Sequence, residues 1–250
     1  MSRLRGRGGC PWDREQTLQT LRPFVLEETY EVLHAIDSGD HDALRGEIGD
    51  FLFEAVFLAQ VEADEGRFTI RESIEAIASK LIRRHPHVFG AKRGVRTPDQ
   101  VLEQWEAIKA REQQAAGTTK AVLAGLPKAL PALLGAYEIG TRVAAVGFDW
   151  AKAPDVIRKI KEEVAELERA VAREGLDRIE EEMGDLLFSI ANLARKLGVE
   201  PESALRMANQ KFGKRFEQLE RHLAASGRSV HDATLDEMEE AWQTVKRAGT

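Results

Sequence analysis

The chain has 250 residues, 31% of them charged and 6% aromatic, with a formal net charge of −6 and a single cysteine. Such a length can bury one sizeable core or two smaller ones, and the charge-rich, aromatic-poor composition fits a soluble helical protein. The acidic balance argues against nucleic acid as a partner, since non-specific binding needs basic surface to displace counterions; Cys10 alone forms no internal disulfide, which fits the reducing cytoplasm; and no run of about 18 apolar residues predicts a membrane span.

Residues 1–7 are basic but lead into no apolar segment, so they read as a frayed end rather than a signal peptide. Alternating β-branched runs and Asn-Gly turns are missing, whereas helix punctuation is frequent. Pro23 is expected to open a helix that Ser38-Gly39 closes, with Phe24, Leu26, Tyr30, Leu33 and Ile36 mostly on one face. A second helix is expected over about 42–64, stopping near Gly66. Thr69-x-x-Glu72 has the form of a capping box, which starts a third helix near Ile70 that ends before Pro86. Residues 90–96 read as a polar loop, and Thr97 followed by Pro98 starts a fourth helix running to about Gln114.

The small, polar stretch 115–120 reads as a linker, giving two halves, 1–116 and 117–250. In the second half Pro131 opens a helix ending near Gly147. Helices follow over about 155–173 and 177–197, then one from Pro201 and one from the capping box Thr234-x-x-Glu237. The expected fold is all-α, with two tandem related helical bundles.

One carboxylate pattern is written twice. Glu27-Glu28-x-x-Glu31 and Glu47-x-x-Asp50 form one copy, Glu162-Glu163-x-x-Glu166 and Glu182-x-x-Asp185 the other. Glu27 to Glu162 and Asp50 to Asp185 are both 135 residues, so the copies align without a gap. At about 100° per residue, Glu28 and Glu31 fall about 60° apart on one helix, as do Glu47 and Asp50 on the next. Two antiparallel helices can then point these acids at one another. Like charges at about 4 Å repel by roughly 4 kcal/mol at an effective dielectric near 20, so such a cluster calls for a counter-charge. All-oxygen ligation suits Mg²⁺, with Mn²⁺ the alternative, and both bind phosphates. Gly49 and Gly184 sit mid-helix beside the acids at a propensity cost of about 1 kcal/mol each, which suggests close helix packing there.

Basic and aromatic signals are also repeated. Lys80-x-x-x-Arg84 and Lys211-x-x-x-Arg215 lie in the third helix of each half, Trp105-x-x-x-Lys109 and Trp242-x-x-x-Lys246 in the last. A spacing of four places each pair on one helix face, where cations answer a polyphosphate and an indole stacks on a base. The bland alternative makes the tryptophans core anchors.

Taken together these motifs resemble the MazG family of all-α nucleoside triphosphate pyrophosphohydrolases. Cys10-Pro11-Trp12-Asp13, Leu26-Glu27-Glu28-Thr29-Tyr30-Glu31, Arg83-Arg84-His85-Pro86-His87-Val88-Phe89 and Gly147-Phe148-Asp149-Trp150 resemble signatures of its two-domain members. The resemblance implies a Mg²⁺-dependent hydrolase that turns a nucleoside triphosphate into monophosphate and pyrophosphate, working as a homodimer through helix packing. It implies metal ligation by Glu163, Glu166, Glu182 and Asp185, and water activation by Glu162 with Glu163. Lys211, Arg215, Trp242 and Lys246 would hold the substrate. It credits catalysis to the second half, although the first keeps Glu28, Glu31, Glu47 and Asp50 as the same ligand set. Two rival readings are a non-catalytic metal-binding helical module and a di-iron carboxylate protein. Glu31-x-x-His34 fits the di-iron pattern, but the second copy has Arg169 in place of the histidine. No P-loop motif is present, and His85-Pro86-His87 lacks a zinc ligand set, so it reads as the exit of the third helix.

Overall fold

The computed structural model describes residues 1–90, 97–115 and 121–248. Among them every regular element is an α-helix, and the chain divides into two compact units, Met1–Thr119 and Lys120–Thr250. The expected linker over 115–120 and the expected loop over 90–96 fall, apart from Ala115 and Gly90, outside the described residues.

The first unit is built on a hairpin of α3 (Leu18–Ser38) and α4 (His41–Asp64). Two residues connect them, and each terminates its neighbour. Gly39 adopts φ 71, the left-handed conformation that closes a helix, and Asp40 caps α4 by accepting from the Asp42 and Ala43 amides at 3.0 and 2.9 Å. Before the hairpin come α1 (Ser2–Arg5) and α2 (Pro11–Glu15); after it come α5 (Ile70–Arg84), α6 (Pro86–Phe89) and α7 (Pro98–Ala115). Leu21, Phe57 and Val61 form the buried core, with Trp12 packed edge-on to Phe24 and Phe57.

Three expectations need correction. Helix α3 starts at Leu18, so Pro23 lies inside it instead of opening it. The start is a reciprocal cap of two threonines: Thr17 Oγ1 accepts from the Thr20 amide and Thr20 Oγ1 from the Thr17 amide. Threonine at the third helical position does the work usually given to Glu or Gln. The N-terminal residues are not frayed. Arg5 forms an ion pair with Asp64 at 2.6 Å, donates to the carbonyls of Asp13 and Gln16, and lies over the Phe57 ring. Its side chain is only 9% exposed, because the acceptors come from distant parts of the chain. Finally, Gly49 and Gly184 are not sites of tight packing within the chain: a Cβ at either would meet nothing within 4 Å.

In the second unit, α9 (Ala153–Arg173) and α10 (Leu176–Lys196) repeat the hairpin. Both ends of α9 and the start of α10 fall 135 residues after their counterparts in α3 and α4. Helix α8 (Ala132–Ala144) packs across α10 and also against α11 (Pro201–Ala225), which pairs with α12 (Leu235–Ala248) around Leu219, Leu223, Ala241 and Val245. Close approach occurs at Gly140 of α8, where a Cβ would stand 2.3 Å from Asn192 Oδ1 and 2.9 Å from Arg195 Nε. At α12, Thr234 and Glu237 form the expected cap, with the Thr234 amide donating to Glu237 at 2.7 Å.

Candidate active site

The α9–α10 hairpin brings oxygens of Glu163, Glu166 and Glu182 within 4.8 Å of one another. Glu163 and Glu182 are only 4% and 3% exposed. Burying two carboxylates is costly unless each is paired. Here the partners come from the same helices. Lys159 Nζ lies 2.6 Å from Glu163 and 3.0 Å from Glu162, Arg178 pairs with Glu182 and with Glu181, and Arg169 reaches Glu166 at 3.3 Å. Hydrogen bonds from Lys159 to Glu163 first, and to Glu162, hold the ammonium above its ordinary pKa; the bond to Glu181 chiefly does the same for Arg178. Asp185 and Glu162 are exposed and stand outside the close trio, Asp185 one turn beyond Glu182 on α10.

The α3–α4 hairpin makes the corresponding trio of Glu28, Glu31 and Glu47, again within 4.8 Å. Asp50 is exposed and outside it, as is His34, the histidine of the di-iron pattern. The electrostatics are different. At the positions of Lys159, Arg169 and Arg178 this hairpin has Phe24, His34 and Ala43. Among the described residues no ion pair or hydrogen bond reaches the carboxylates of Glu28, Glu31 or Glu47. Burial, then repulsion from Glu31, Asp50, Glu47 and Glu27, raises the pKa of Glu28, and its Oε2 is buried without a partner.

A further acid that the motif reading missed stands outside this trio but near enough to feel the charge of Glu28. Glu54 on α4 is 7% exposed, its Oε2 is buried without a partner, and burial and the charge of Glu28 raise its pKa. The signal was present in the spacing. Glu54 follows Glu47 by seven residues, about 20° away on the helical wheel, but the Glu-x-x-Asp pattern ends before it. The equivalent residue of α10 is the buried Ser189.

The four substrate candidates gather on α11 and α12, whereas the acids belong to α9 and α10. Trp242 is half-buried against the Leu219–Val245 core with its ring 5.1 Å from that of Phe212, so it serves partly as an anchor. Lys246 is exposed. Lys211 and Arg215 make no ion pair or hydrogen bond among the described residues. In the first unit Arg84 is instead tied to Glu112 at 2.6 Å, beside Arg83 at the same distance. These two, Arg84 foremost, pull Glu112 down to about 2. Trp105 is half-buried with its ring 5.9 Å from that of His85, which ends α5; the Lys109 side chain lies outside the description. The two halves thus differ in their charge pairing: in the second the acids are paired and Lys211 and Arg215 are open, whereas in the first the acids have no ion pair among the described residues and Arg84 is engaged.

Gly147-Phe148-Asp149-Trp150 lines a separate recess of about 320 Å³. Asp149 is held by Arg195 and Lys196, each at 2.5 Å. These cations lie about 20 Å along α10 from Glu182, so this signature secures the far end of the hairpin. No helix among the described residues is long and apolar enough to cross a membrane.

The family model for the MazG nucleotide pyrophosphohydrolase domain matches residues 16–89 and 154–219, which contain both hairpins. The nucleoside triphosphate pyrophosphohydrolase of Escherichia coli (strain K12) is 48% identical over 99% of this chain and 94% of that protein. The nucleoside triphosphate pyrophosphohydrolase/pyrophosphatase MazG of Thermotoga maritima is 42% identical, covering 98% and 92%. A nucleoside triphosphate pyrophosphohydrolase of Mycobacterium tuberculosis is 37% identical over 64% of this chain and 47% of that protein.

Proposed function

The chain belongs to the MazG nucleotide pyrophosphohydrolase family, and from that membership we infer that it hydrolyses nucleoside triphosphates to nucleoside monophosphate and pyrophosphate at the α9–α10 acids. The observation that carries the choice of half is the charge arrangement. Glu163, Glu166 and Glu182 converge while Lys211 and Arg215 stay uncommitted, whereas Arg84 of the first half is consumed by Glu112. A triphosphate needs both a cation-holding wall and open basic groups.

The donor set fits a hard divalent cation: three carboxylates within 4.8 Å, with Asp185 one turn away. Glu163, Glu166, Glu182 and Asp185 would hold Mg²⁺, or Mn²⁺ in its place. Such an ion, when bound, neutralises phosphate charge and makes a water more acidic. Lys159 and Arg178 pair with the buried carboxylates at rest, and their long, flexible side chains turn to phosphate oxygens when the carboxylates are otherwise engaged. Glu162, exposed beside the trio, orients the attacking water and takes its proton, assisted by Glu163. Water adds across the α,β-phosphoanhydride; one new P–O bond forms, the bridging P–O bond breaks, and pyrophosphate departs. Lys211, Arg215 and Lys246 balance the triphosphate charge, and the half-buried Trp242 stacks on the base.

A second copy of the chain completes this reading. Met183, Leu187 and Ile190 on α10 and Val164 and Val171 on α9 are exposed apolar groups beside the acids, and Gly184 leaves open space among them. A homodimer packed through these helices covers that surface. The halves 1–116 and 117–250 act as separate helical domains, and the reducing cytoplasm suits a chain whose lone thiol is Cys10.

The test is incubation with Mg²⁺ and a panel of nucleoside triphosphates, with chromatographic separation of the products. Equal amounts of monophosphate and pyrophosphate are expected. Nucleoside diphosphate with orthophosphate would overturn the reaction assigned, and no turnover of any triphosphate would leave a non-catalytic module.

A further inference from the structure

The first hairpin carries an unbalanced charge that its position in the fold does not require. Glu28 corresponds to Glu163, and the environments of the two differ in sign. Beside Glu163 stands Lys159, and the residue of α10 in register with Glu54 is the neutral Ser189. Phe24 takes the place of Lys159 in the first hairpin, and Glu54 takes the place of Ser189. At these two positions the first hairpin lacks a positive charge and carries an extra negative one.

Neither change is explained by the packing. Glu54 is more than nine-tenths buried, its Oε2 has no hydrogen-bond partner, and the neighbouring Glu28 Oε2 is buried and unpartnered too. Two buried carboxylate oxygens without a partner, on neighbouring helices, each cost free energy, and the repulsion between Glu28 and Glu54 adds to it. Glu31 and Glu47 close the group, and among the described residues no cation faces it from α3 or α4. A ligand supplying concentrated positive charge without bringing anions is what this arrangement lacks. Carboxylate oxygens only, in this number, select a divalent metal ion over a neutral or anionic molecule.

We propose that Glu54 joins Glu28, Glu31 and Glu47 in a divalent-cation site that fills without nucleotide, making the first half a resident metal site distinct from the α9–α10 acids. In the second half Lys159 and Arg178 already occupy the carboxylates and compete with an entering ion, so cation uptake there is coupled to phosphate. Among the described residues of the first half no ion pair engages the Glu28, Glu31 or Glu47 carboxylates. The tie between Arg84 and Glu112 removes one basic group that would otherwise draw a triphosphate to this half. The site is therefore occupied by the ion alone.

The experiment uses the full chain, free of nucleotide and stripped with EDTA, titrated with MnCl₂ and followed by electron paramagnetic resonance of free Mn²⁺ and by thermal melting. Glu54→Gln keeps the side-chain shape and removes the charge. Ligand charge sets affinity in such sites, so Glu54→Gln is expected to weaken the tight Mn²⁺ site on the order of tenfold or more. It also melts above the parent in EDTA, because an uncompensated buried charge is gone, and loses most of the Mn²⁺-induced rise. Glu163→Gln leaves the tight site intact. The proposal is overturned if the parent takes up no Mn²⁺ without nucleotide, if the tight site follows Glu163→Gln, or if Glu54→Gln retains the parental Mn²⁺ affinity and rise. These outcomes are independent of pyrophosphate release, so failure here leaves the reaction assigned to the second half untouched.

Discussion

Glu163→Gln probes the centre of the α9–α10 cluster, because it removes charge while keeping volume. Glu163 is 4% exposed and accepts from Lys159 at 2.6 Å. A charge-assisted hydrogen bond contributes about 1.5–3 kcal/mol, but the Gln carbonyl still accepts from Lys159, and desolvation of a carboxylate is no longer required. Lys159 also keeps Glu162 at 3.0 Å. These effects oppose one another, so the net folding change is about 1 kcal/mol or less, a Tm shift of about 2–4 °C for a chain of this length. Turnover responds differently. Losing one of three converging carboxylates removes preorganised electrostatics, which lowers kcat on the order of a hundred- to a thousandfold. The assay is pyrophosphate release at saturating triphosphate, paired with a circular-dichroism melt of the same preparation. A kcat within about threefold of the parent refutes the role given to Glu163. Lost activity accompanied by a collapse in Tm refutes the separation of fold from function at Glu163.

Two other predictions concern the basic groups. Ion pairing to Arg84 and Arg83 lowers Glu112 from 4.5 to about 2, so its contribution to first-unit stability is full above pH 4.5 and is lost as pH falls toward 2. In Glu112→Gln the Tm falls less steeply over that window than in the parent; identical pH–Tm slopes would show that the pair contributes nothing. Lys211→Ala and Arg215→Ala each raise KM for triphosphate on the order of tenfold, with the Tm unchanged, because neither side chain is engaged in the resting protein. An unaltered KM in both would remove α11 from the substrate site.

Elements with local causes were legible from sequence. The Thr69–Glu72 and Thr234–Glu237 caps, the left-handed Gly39 and the register of the doubled acids depend on residues within one or two helical turns. Pro23 misled because a proline usually opens a helix, while the actual cap lies six residues earlier in two threonines. Gly49 and Gly184 misled for another reason: a glycine in a helix records that space is needed, but not from which side, and within the chain that side is open. Glu54 escaped because a motif ends where its pattern ends, whereas burial continues along the helix face.

By itself the sequence determined that the protein is helical, that it contains one hairpin twice at a spacing of 135, and that Glu28, Glu31 and Glu47 recur in register as Glu163, Glu166 and Glu182. Helix periodicity and capping are properties of neighbours in the chain, so they are written there. Tertiary structure decided the state of those carboxylates. Lys159 and Arg178 neutralise the second cluster, Arg84 is drawn away to Glu112, Arg5 is pinned beneath Asp64, and Glu54 is buried without a partner. The energy of a charge depends on the solvent removed from it and the counter-charge brought to it, and both are fixed only when the helices pack.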